Sequence, residues 1–114
     1  MEDLLKIKLN LNTKRDLLKL ALDQKEIVQY SVYKQSNIGS KDRSAMDKVV
    51  ARLKLEDETW LEQEEELVRL KTLATVVDNI VEINQAYLNQ GIDIDDVEAS
   101  CENYINEFNL GEWL

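Results

Sequence analysis

The chain has no histidine, no proline, one cysteine and three glycines in 114 residues. Each shortage closes off a class of chemistry. Without histidine there is no Ser-His-Asp triad, no Cys-His pair and no imidazole metal ligand. A lone thiol, Cys101, forms neither an internal disulfide nor a thiolate cluster. The three glycines, Gly39, Gly91 and Gly111, read as punctuation between helices rather than hairpin turns. No apolar run approaches the roughly 18 residues of a membrane span. The acidic start, Met1-Glu2-Asp3, is unlike a signal peptide. A cytoplasmic protein away from the membrane is expected, with no cofactor.

Positive charge is scarce after residue 54. Residues 1–54 carry twelve Lys and Arg against seven Asp and Glu, a balance of +5, while residues 55–114 carry two against sixteen, a balance of −14. Such a chain pairs its basic half with its acidic half and keeps acid for a partner. The net charge of −9 argues against direct nucleic-acid binding, which needs clustered Lys and Arg on phosphates. The apolar content of 44% is that of a globular protein, and the length suits one acidic domain over residues 1–114.

What is present is helical periodicity. Residues 14–35 are predicted as a helix, started by a capping-box-like Thr13 and Asp16. Its buried face should be a broad apolar stripe of Leu17, Leu18, Ala21, Ile27, Val28 and Val32. Residues 36–40 read as a turn with Gly39 in a left-handed position. Helix then resumes near Lys41 to Ser44 and carries Met46, Val49, Val50 and Leu53 on one side. Around residues 55–58 either a break or one continuous helix fits, with Thr59 and Glu62 resembling a capping box. From Trp60 to Asn89 the signal is strong. Met46, Leu53, Trp60, Leu67, Ala74, Val81 and Leu88 recur every seven residues, but charged companions make this half a coiled-coil seam. Gly91 ends that helix. Asp95 and Glu98 are expected to start the last one, whose buried face would be Val97, Cys101, Tyr104, Ile105 and Phe108. In residues 1–12 the alternation of Leu5, Ile7, Leu9 and Leu11 with polar residues is a strand pattern, yet helical neighbours favour helix.

The expected architecture is therefore all-α, an antiparallel helical bundle of three to five helices with one long central helix. Its densest charge feature is the run containing Glu58, Glu62, Glu65 and Glu66, read as a solvated face, a docking surface for a basic protein, or carboxylate ligands for Mg²⁺. Asp93, Asp95, Asp96 and Glu98 fit helix capping better than a calcium loop, which wants a glycine and a glutamate in register. Cys101 reads as a buried structural thiol, with no basic neighbour in sequence to activate it. Two apolar features compete between closing the core and anchoring a partner: Trp60, and the apolar tail over 108–114 with Phe108, Leu110, Trp113 and Leu114.

The stretch Asp78-Asn79-Ile80-Val81 through Asp95-Asp96-Val97 resembles a helix and following turn of the all-α MazG-like nucleotide pyrophosphohydrolases. That resemblance implies a Mg²⁺-binding Glu-x-x-Asp pair on this helix and a Glu-Glu-x-x-Glu motif on the one before. Asp78 matches the Asp, Glu62 with Glu65 or Glu66 loosely matches the earlier motif, and Thr75 stands where the Glu belongs. Three functions follow as expectations. The first is a non-catalytic acidic binding protein, an inhibitor, chaperone or adaptor that docks on a larger basic partner, such as a nucleic-acid-handling enzyme. It is similar in size and charge alone to phage or mobile-element inhibitors. The second is a degenerate Mg-dependent pyrophosphohydrolase. The third is a self-assembling homo-oligomer.

Overall fold

The computed structural model describes residues 1–36 and 43–114, all of them helical apart from short connections. Four α-helices follow in order, α1 (Glu2–Ser36), α2 (Arg43–Glu56), α3 (Glu58–Asn89) and α4 (Ile94–Glu107), and a 3-10 turn spans Leu110–Trp113. No strand occurs among the described residues. The turn expected at Gly39 lies outside them.

Two compact units divide the chain. One holds Met1–Arg15 and Arg69–Leu114, the other Asp16–Val68. α1 and α3, at 35 and 32 residues, each contribute a segment to both.

In the first unit, helix replaces the strand-like pattern of residues 1–12, and the reason lies beneath the alternation. Leu4, Ile7 and Leu11 fall at helical spacing and are fully buried, while Leu5 and Leu9 face solvent. Glu2 and Asp3 in the first turn suit the positive end of the helix dipole. The capping-box start at Thr13 and Asp16 is thus corrected, because the hydrophobic seam already runs through it. α3 contributes Leu70, Ala74, Val77, Ile80 and Asn84 to the buried set, and α4 adds Val97 and Cys101. α3 ends in a Schellman motif: Gly91, at φ +81°, lets its own N–H reach Leu88 O and that of Ile92 reach Tyr87 O. Asp93, not Asp95, caps α4, since its carboxylate accepts from the Asp95 N–H at 3.0 Å. Asp95 and Asp96 then occupy the first turn, where the dipole favours them. Phe108, expected on the buried face, is 42% exposed because α4 stops at Glu107.

The second unit is built around Trp60. Leu22 from α1, Val50 from α2 and Trp60 from α3 form its core, with Leu18, Tyr30 and Leu67 packed against it. The stripe expected to be buried on α1 is largely solvent-facing instead: Leu17, Ile27, Val28 and Val32 are exposed. The seam that α1 buries is rotated from that stripe and runs through Leu18 and Leu22. The seven-residue repeat from Met46 to Leu88, by contrast, places no member among the exposed residues.

Candidate interaction surface

The acidic run begins at the α2–α3 junction. Asp57 is the one residue between the two helices, and hydrogen bonding continues on both sides, Asp57 N–H to Leu53 O and Leu61 N–H to Asp57 O. The junction is therefore a one-residue interruption of the helical path that carries a cap. Asp57, rather than Thr59, supplies that cap: its Oδ1 accepts from the Trp60 N–H at 3.1 Å. Its Oδ2 lies 3.0 Å from Lys25 Nζ. The Lys25 and Trp60 hydrogen bonds hold the Asp57 carboxyl below the usual carboxylate range.

Two lysines from the basic half sit on the Trp60 ring. Lys25 Nζ is 4.8 Å and Lys54 Nζ 5.4 Å from its centroid. Lys54 also reaches Glu64 at 3.2 Å and Glu26 at 3.5 Å. Partial burial alone would lower the Lys54 pKa, but the two carboxylates outweigh it and the ammonium titrates above its ordinary value. Here the charge split of the sequence becomes local chemistry. Basic residues of α1 and α2 neutralise Asp57 and Glu64 and roof the aromatic core.

Not all the acid is consumed. Glu58, Glu62 and Glu65 recur at i, i+4 and i+7, which places them on one face of α3 about opposite Trp60. All three are exposed, and none has an ion pair among the described residues. Glu66 is half-buried and engaged within the chain. Leu55, 74% exposed, is the next-to-last residue of α2, just before this row. A shallow groove of about 360 Å³ opens at the α2–α3 junction, lined by Gln29, Leu53 and residues 56–60. A larger one, about 530 Å³, runs along α1 past Ile27, Tyr30, Ser31 and Met46, with Asp23, Glu26 and Lys34 on its rim.

The apolar anchor candidates divide. Trp60 is 1% exposed and Leu110 fully buried, so neither is presented to a partner in this structure. The tail folds back within the first unit. Leu110 enters the core, Asn10 Nδ2 donates to the Trp113 carbonyl at 2.6 Å, and Lys14 Nζ lies 5.0 Å from the half-buried Trp113 ring. Phe108 and Leu114 stay exposed at the surface of that unit. Cys101 is buried on α4, with its side chain beside the N-terminal ammonium of Met1.

The residues matched to the pyrophosphohydrolase pattern lie on one helix, α3, with Asp78 at least three turns beyond Glu62, Glu65 and Glu66. Asp78 is 3.3 Å from Lys8. Among the described residues no group of three or more Cys, Asp or Glu side chains is placed to hold a metal ion. No described helix is long and apolar enough to cross a membrane.

Sequence reasoning missed the caps at Asp57 and Asp93 and the exposure of the α1 stripe. A signal for the first existed: Asp57 stands three residues before Trp60, the spacing at which a side-chain oxygen meets an N3 amide. No protein-family model matches the chain, and neither curated proteins nor solved structures give a match.

Proposed function

We propose that this chain is a non-catalytic, cytoplasmic helical binding protein that docks on the basic surface of a larger protein partner through the exposed carboxylate row of α3. One observation carries the reading. Lysines of the chain itself already answer Asp57 and Glu64, yet Glu58, Glu62 and Glu65 are exposed and have no ion pair among the described residues, beside the exposed Leu55. Like charges at i, i+4 repel, so the row destabilises its own helix slightly and gains by meeting Lys or Arg. Orientation and encounter rate would come from this row. Apolar contact would come from Leu55, with Phe108 and Leu114 as a second exposed pair on the other unit. Trp60 and Leu110 serve the cores. The helices are read as an antiparallel bundle with α3 as its long central element. Within the second unit this is supported by the Tyr30–Asp47 and Glu26–Lys54 contacts, which run in opposite senses along α1 and α2.

The test is capture from lysate of the source cells with the wild-type chain and with Glu62→Lys/Glu65→Lys, each at low and high salt. Both positions are exposed, and circular dichroism checks that the variant keeps native helicity. A basic protein retained by the wild type, released by salt and lost with the variant is the expected result. Retention that is equal for both chains, or indifferent to salt, refutes the reading.

A further inference from the structure

α1 carries two apolar stripes, and the second unit buries one of them. At about 100° per residue, Leu17, Leu20, Ala21, Ile27, Val28 and Val32 fall within an arc of about 140°, together with the uncharged Gln24 and Ser31. No charged residue between positions 16 and 34 enters that arc, in a chain that is 32% charged. Leu17, Leu20, Ile27, Val28 and Val32 are 63, 53, 63, 56 and 50% exposed. A helix face that only meets water does not lose its charges in this way.

We propose that this face is a homodimer interface, in which α1 of one chain packs antiparallel against α1 of a second copy. The proposal is independent of the acidic row on α3. Area is the first argument. The five exposed side chains leave roughly 500 Å² of apolar surface, at the upper end of what ordinary monomers expose. A stable interface buries about 800 Å² per partner, about 65% of it apolar in homodimers, which is the same quantity.

Charge selects the occupant. Residues 16–34 contain Asp16, Asp23 and Glu26 against Lys19, Lys25 and Lys34, so this segment is neutral within a chain of net −9. A neutral face has no grip on a basic partner, and it meets its own copy without net repulsion. The edge of the stripe gives the direction. Asp16 and Lys34 lie on the same edge at opposite ends, so an antiparallel pair centred near residue 25 brings Asp16 of each copy, which also has a partner within its own chain, toward Lys34 of the other. A parallel pair would leave Asp16 and Lys34 at opposite ends of the interface and set their edge against Lys25, which already lies 3.0 Å from Asp57.

Sedimentation equilibrium of the full chain at about 100 µM tests this, with Leu20→Glu and Ile27→Lys as separate variants checked for native helicity by circular dichroism. The expected result is a wild-type mass twice the 13.2 kDa of the chain. High salt should leave that mass unchanged, and each variant should raise the dissociation constant about a hundredfold, because it buries an unpaired charge. For direction, Leu17→Cys and Val32→Cys are placed singly in a Cys101→Ser background and mixed under oxidation. Antiparallel packing links Leu17→Cys to Val32→Cys, whereas linkage of Leu17→Cys to itself overturns the stated direction. A wild-type monomer overturns the proposal and leaves the face to a different protein. A dimer untouched by both variants overturns it in favour of another surface.

Discussion

Replacing Trp60 by alanine separates a core residue from a partner anchor. The side chain is 1% exposed, packed in the core with Leu22 and Val50, and covered by the ammonium groups of Lys25 and Lys54. Truncating a buried tryptophan to alanine costs about 3–5 kcal/mol through lost transfer energy and the remaining cavity. Each cation–π contact adds about 0.5–1 kcal/mol in a partly solvated setting. Lys25 and Lys54 keep their carboxylates, so no unpaired charge is left behind. The expected loss is about 4–7 kcal/mol, comparable with the whole stability of many domains of this size. Urea unfolding followed by far-ultraviolet circular dichroism measures it. The chain has two tryptophans, one in each compact unit, so a Trp113→Phe background makes Trp60 the sole fluorophore. In that background acrylamide should quench the emission poorly. A loss below about 1 kcal/mol, or quenching as efficient as that of free indole, would refute the placement of Trp60 in the core and return it to the partner surface.

Other outcomes follow from the same geometry. Leu110→Ala should cost about 2–5 kcal/mol in urea unfolding, whereas Phe108→Ala and Leu114→Ala, at half-exposed positions, should cost under about 1 kcal/mol. Asp57 has a depressed pKa, so its contribution is fully present above the ordinary value of 3.8 and is lost as pH falls through the lower folded value. Asp57→Asn keeps a capping oxygen but not the Lys25 ion pair, so it should be less stable than wild type at neutral pH and converge with it in strong acid. Lys54 has a raised pKa, so its contribution is present below 10.5 and lost as pH rises through the higher folded value. Lys54→Met should flatten that alkaline limb of a stability profile. Asn84 is fully buried with Nδ2 bonded to Ile80 O at 2.8 Å and Oδ1 without a partner. Asn84→Leu should leave the thermal midpoint unchanged or raise it, since it removes an unsatisfied acceptor from an apolar core.

Much of this fold is legible in the chain. The absence of proline and the seven-residue repeat from Met46 to Leu88 determine helices, because these effects are local and act within a few residues; of the described breaks Gly91 marks one, while the α2–α3 junction falls at Asp57 and Gly111 sits inside the 3-10 turn. The helix end at Gly91 and the buried Cys101 follow in the same way. The charge split likewise determines that the halves pair, as Lys25–Asp57 and Lys54–Glu64 do. What the sequence left open is relational. α1 has apolar residues on two faces, and nothing local ranks the Leu18–Leu22 seam above the Leu17–Val32 stripe. Val50 and Trp60 decide it by packing on the first. Trp60 itself lies in the most acidic part of the chain, which in sequence resembles a surface anchor ringed by carboxylates. Lysines about thirty-five and six residues before it turn that neighbourhood into a core with a charged roof. Periodicity determines which side chains share a face. Burial is decided only when another element arrives to exclude water from it.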